Sequence, residues 1–160
     1  RVVCLLACPL LTPEAGEAMA AGLAAWAAAH ERHGLALAAH LRGIDCALRA
    51  NDAQRLRGHL EAALGLGQRF DSEIVFKGEF WLRCAEAQLH LGNPAAAQAL
   101  AAQGQRWVQT CGAEQVPEAF ADSFLHRNPV NLGLQRLTRL THLQALLPDT
   151  AAAPEPPPRP

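Results

Sequence analysis

Helix-starting punctuation recurs along this chain, at Thr12-Pro13, Asn51-Asp52, Asn93-Pro94, Pro117 and Asn128-Pro129. A Thr, Asn or Asp side chain accepts hydrogen bonds from the first free N–H groups of a helix. Proline is tolerated at the first helical position because its missing N–H would have no intrahelical partner there. Between these marks the apolar residues recur at spacings of three and four, so the chain reads as consecutive amphipathic helices. Alanine makes up much of the hydrophobic half of the composition, aromatics are 5% and tyrosine is absent. That balance favours helix over sheet. The expected fold is all-α, with about seven helices stacked as antiparallel pairs in the manner of an α-solenoid.

The first helix is expected to start at Thr12 and stop at Gly34. A second follows from Leu35 to Ala50, with Leu37, Leu41, Ile44 and Leu48 on one face. Asn51-Asp52 caps a third, which runs to about Phe70 and gathers Leu56, Leu60, Ala63 and Leu64. Glu73 to Leu91 carries Ile74, Phe80, Trp81 and Cys84 at helical spacing, with the helix starting around Lys77-Gly78, and Pro94 opens a fifth helix that includes Leu100, Trp107 and Val108. Pro117 opens a short sixth helix to Arg127, and a seventh runs from Pro129 to Leu147. These helices form one region, 12–148. Residues 1–11 read as the end of a preceding helix or a truncated start, and 149–160 as a proline-rich tail with little to bury.

Basic residues number 14 and acidic residues 15, for a net charge of -1. No basic stripe stands out, so no nucleic-acid partner is expected. The apolar opening is too short to span a bilayer, and no membrane role is expected. Five cysteines at wide spacings, without a C-x-x-C pair, suit reduced buried thiols and a cytoplasmic location.

Candidate chemistry is thin. His30-Glu31-Arg32-His33 places its histidines three apart, whereas a zinc-protease helix needs them four apart. Cys84 and His90 point away from each other on one helix. Ser123 or Cys111 with His126 and Asp122 lacks any sign of an oxyanion hole, and Gly65-Leu66-Gly67 lacks the rest of a phosphate loop. No catalytic, cofactor or metal site is assigned. Trp26, Trp81 and Trp107 fall at core positions. Leu134, Leu137, Leu140, Leu143 and Leu146 recur every third residue, which wraps an apolar stripe backward around the last helix. Leu137, Leu140 and Leu143 are therefore possible contacts to a partner or a second copy.

The segment from Trp81 to Gly104 has a large residue early in one helix, Leu91-Gly92 at the turn, then Ala97 and Gly104. It resembles a tetratricopeptide repeat. An earlier, degenerate copy at Cys46–Leu64 sets Ala50 at the turn, Arg55 at the place of Ala97 and Ala62 at the later small position. The stretch S-F-L-H-R-N-P-V-N, from Ser123 to Asn131, poses a choice between a binding site and a corner. Asn128 precedes proline and leaves the helical region, so one helix ends there and Asn128 caps the next.

Phe124, Asn128, Pro129 and Asn131, with Trp107 and Pro117, also resemble the C-terminal helical-repeat regions of large bacterial signalling proteins built around STAND-type ATPase modules. That resemblance implies a non-catalytic interaction or sensor module. Its partner would be another protein, its own upstream domains or a second copy, and kinase, cyclase or transcription-regulator domains would lie upstream. The alternative is a small helical-bundle enzyme or metal binder using histidines and cysteines from separate helices.

Overall fold

The computed structural model describes residues 12–146, with side chains through Leu140. The expected tail and the opening residues 1–11 lie outside the described residues, as does the side chain of Leu143. Seven helices are present among the described residues, and no strand. They are α1 (Pro13–Ala29), α2 (His33–Ala50), α3 (Ala53–Arg69), α4 (Lys77–His90), α5 (Pro94–Glu114), α6 (Glu118–His126) and α7 (Pro129–Leu146).

Most boundaries follow the punctuation. Thr12 Oγ1 accepts from Ala15 N at 3.3 Å, and Asp52 Oδ1 accepts from Gln54 N and Arg55 N at 3.1 and 3.0 Å. One boundary differs. Gly34 does not stop α1 but lies inside α2, because Glu31 takes the left-handed turn instead, at φ 55°. The fourth helix starts at Lys77, where it was expected, and Ile74 in the preceding connector is 60% exposed.

Three turns share one construction. After α2, Asn51 N donates to Leu48 O at 3.2 Å and Asp52 N to Ala47 O at 3.0 Å. After α4, Gly92 N donates to Leu89 O at 3.1 Å and Asn93 N to Gln88 O at 2.9 Å. After α1, Glu31 N donates to Ala28 O at 3.2 Å and Arg32 N to Ala27 O at 2.8 Å. Each time a left-handed residue lets two N–H groups satisfy the last orphan carbonyls of the helix.

This construction corrects the register of the degenerate copy by one residue. Asn51, at φ 55°, and not Ala50, stands where Gly92 stands at φ 79°. Leu56 then matches Ala97, and Ala63 matches Gly104. All but Gly104 are fully buried, and Gly104 is itself a buried position of α5.

The packing order repeats as well. α2 packs on α3, and α4 lies against both; α4 packs on α5, and α7 lies against both. One apolar cluster joins α2, α3 and α4 through Leu37, Leu41, Ile44, Leu56, Leu60, Phe80 and Cys84. A second joins α4, α5 and α7 through Leu82, Ala85, Ala101, Val108, Leu134 and Leu137. Trp81 and Leu100 pack against both clusters. Small residues set the spacing: a Cβ on Gly104 would lie 2.6 Å from Trp81 Cβ and 2.9 Å from Leu134 Cδ2. A Cβ on Gly67 would lie 2.5 Å from the Phe80 ring.

Candidate interaction site

The stretch from Ser123 to Asn131 is a corner. Ser123 O accepts from Arg127 N and Asn128 N, at 3.0 and 3.2 Å, which closes α6. Asn128 Oδ1 accepts from Val130 N at 2.9 Å and Asn131 N at 3.3 Å, which caps α7 above Pro129 at its first position. Asn131, only 1% exposed, reaches back with Nδ2 to Phe124 O at 2.7 Å. One turn later Gln135 Nε2 reaches Leu125 O at 3.1 Å. Two amides on α7 therefore satisfy two carbonyls at the end of α6. These residues hold the two helices together.

The remaining expected positions divide between core and surface. Trp81 packs between the two clusters, and Ala97 is fully buried. Gly92 is the left-handed turn residue. Leu137 is 7% exposed inside the second cluster, so it belongs to the core and is not a partner contact in this fold. Leu140 is 53% exposed. Trp26 was expected in the core and is instead 50% exposed, stacked on His30 with ring centroids 4.3 Å apart. Alanines fill the buried face of α1, and a small face packs closely enough on α2 without an indole. Burial pushes the Cys84 thiol up to about 12, which makes it an inert packing group.

Two polar arrangements escaped the sequence reading. The first is a strip of alternating charge across α2 and α4. Arg42 Nη1 donates to Asp45 Oδ2 at 2.7 Å, Arg49 Nε lies 3.4 Å from the same oxygen, and Arg83 Nη1 lies 3.8 Å from Asp45 Oδ1. Arg83 Nη1 also donates to Glu86 Oε2 at 3.0 Å. In the corrected register Arg42 matches Arg83 and Asp45 matches Glu86, so the strip is one ion pair used twice and cross-linked. Each pair contributes little to stability at this exposure. What the strip supplies is fixed direction: guanidinium and carboxylate groups held in place on partly exposed helix faces.

The second runs from Glu17 on α1 to His59 on α3 and His40 on α2, at one end of an open groove of about 390 Å³ floored by Ala21, Ala24, Ala25 and Ala28. Glu17 Oε2 accepts from Arg55 Nη1 at 3.0 Å, and Oε1 lies 3.4 Å from His59 Nε2. His59 Nδ1 and His40 Nδ1 are 3.0 Å apart, one donating and one accepting. A carboxylate only accepts, so His59 Nε2 is the donor towards Glu17. Burial, and then the neighbouring His59, push the His40 imidazole down to about 4. Gly43 makes the room: a Cβ there would lie 2.4 Å from the His59 ring. Among the described residues no group of three or more His, Cys, Asp and Glu side chains is placed to hold a metal ion, and no helix is long and apolar enough to cross a membrane.

No family model, curated protein or solved structure matches this chain.

Proposed function

We propose that this chain is a non-catalytic helical-repeat module that binds a protein partner or domains preceding it. The observation that supports this reading is the repeated unit. α2–α3 and α4–α5 share one turn construction, a small buried residue at the matched positions Ala63 and Gly104, and one Arg-to-acid pair, and each hands on to the next helix in the same way. Stacked units of this kind present their first helices side by side as an extended surface, and such surfaces bind without performing a reaction. The charged strip on α2 and α4 is that surface here. In this reading the module is the C-terminal part of a cytoplasmic, ATP-dependent signalling or transcription regulator, and the chemistry belongs to upstream domains.

Panning a random peptide library against the immobilised chain tests the proposal. Selected peptides are expected to lose at least tenfold in affinity against Asp45→Ala and Arg83→Ala, two variants with unchanged helicity. The Glu17–His59–His40 chain is the one observation that favours the alternative of a small helical-bundle enzyme, although these three side chains are not placed to hold a metal ion. Peptides indifferent to both variants, together with stoichiometric metal in the purified protein, would shift the reading to that alternative.

A further inference from the structure

A cavity of about 110 Å³ lies between α5, α6 and α7, beside the corner. Val108, Leu125 and Leu134 supply its apolar wall, and its polar groups are four carboxamides and the His126 imidazole. Among the described residues no carboxylate, guanidinium or ammonium group lines it. A single water needs only about 10–15 Å³ of such space, so the cavity has room for a group of several non-hydrogen atoms.

Two of the carboxamides are fixed. Asn131 Nδ2 donates to Phe124 O and Gln135 Nε2 to Leu125 O, so what each has left is its oxygen. The two residues stand four apart, on one face of α7. Asn131 is buried, and its Oδ1 receives no hydrogen bond from the described residues. A buried acceptor without a donor costs about 1–3 kcal/mol, which a donor entering the cavity would relieve. On α5, half-buried Gln105 and exposed Gln109 make no hydrogen bond with the described residues, and their amides are free to turn.

We propose that this cavity binds the primary carboxamide of a ligand. Both N–H groups of such an amide meet acceptors, Asn131 Oδ1 and Gln135 Oε1, and its carbonyl oxygen accepts from the side-chain amide of Gln105 or Gln109. A charged head group would be buried there without a counter-charge, at a high cost. A hydroxyl has one hydrogen to give where the site holds two acceptors. A free small amide and an Asn or Gln side chain of a protein bring the same chemistry. The cavity belongs to α5, α6 and α7, apart from the charged strip on α2 and α4.

Titration of propionamide into the full chain, followed through the methyl resonances of Val108, Leu125 and Leu134, tests this. Those methyls are expected to shift saturably, while those of Leu41 and Leu56 in the first cluster stay in place. Propionate, and N,N-dimethylpropionamide with its carbonyl but no N–H, are expected to move none of them at equal concentration. Gln105→Leu/Gln109→Leu, which removes no helix-to-helix hydrogen bond, is expected to keep full helicity and to weaken propionamide at least fivefold. The capped peptide acetyl-Ala-Gln-Ala-N-methylamide separates the two sources. Binding at least tenfold tighter than propionamide assigns the amide to a protein side chain, and equal or weaker binding assigns it to a free small molecule. Equal shifts from propionamide and N,N-dimethylpropionamide would overturn the proposal, since they mark an apolar hole that ignores the N–H groups. Unchanged affinity in the double variant would overturn it too, as would methyls that answer to no probe and show only an NOE to water, the mark of a buried water at Asn131.

Discussion

Glycine positions separate close helix contact from mere helix weakness, and they give opposite predictions. At Gly104 an added methyl meets Trp81 and Leu134, so Gly104→Ala should cost about 1–3 kcal/mol. At Gly58 and Gly65 nothing lies within 4 Å, and alanine there should stabilise by about 0.5–1 kcal/mol. Thermal melts of the three variants check the contrast. Glu31 takes a left-handed conformation that L side chains occupy at a cost, so Glu31→Gly should raise stability by roughly 0.5–1 kcal/mol. His40 carries a pH dependence. Its folded pKa lies below the unfolded value of 6.5, so its contribution is fully present above that pH and is lost as pH falls towards about 4. Denaturant midpoints from pH 7 down to pH 4 should fall more steeply in the wild type than in His40→Gln.

Among the elements, the corner between α6 and α7 is the most local in sequence and was the most legible in it. Asn128 and Pro129 gave away the cap through their own backbone chemistry. The back-reach of Asn131 to Phe124 O depends on how two helices meet, which no single-helix rule contains. The same limit explains the other misses. Gly34 looked like a stop because glycine favours the left-handed turn, but Glu31 occupies that turn, and separately Asn51 rather than Ala50 takes the left-handed position after α2. Glu17, His40 and His59 stand on three helices, and only packing brings them together; the one sequence trace is Gly43, the space the His59 ring fills. Asn131→Ala should cost about 1–3 kcal/mol, because Phe124 O loses its partner. Hydrogen exchange should then quicken in α6, whose residues are all at least partly exposed.

At the scale of the whole molecule, α4 is the hinge of the architecture, since it contributes Phe80 and Cys84 to one cluster and Leu82 and Ala85 to the other. Trp81 lies between the clusters, so Trp81→Ala should cost about 3–5 kcal/mol and split one unfolding transition into two. The helical class could be read before any coordinates, from punctuation and alanine content. The handing-on of each pair to the next helix could not, because it is a property of contacts between helices far apart in sequence. That step predicts a three-way contact in which Leu134 on α7, whose Cδ2 lies beside Gly104 on α5, also meets Trp81 on α4, which packs against the same cluster. A methyl-selective NOE measurement on Leu134 tests this most directly. Cross-peaks to both Trp81 and Gly104 are the predicted result, and cross-peaks to only one of them, or to neither, would contradict the two-helix step.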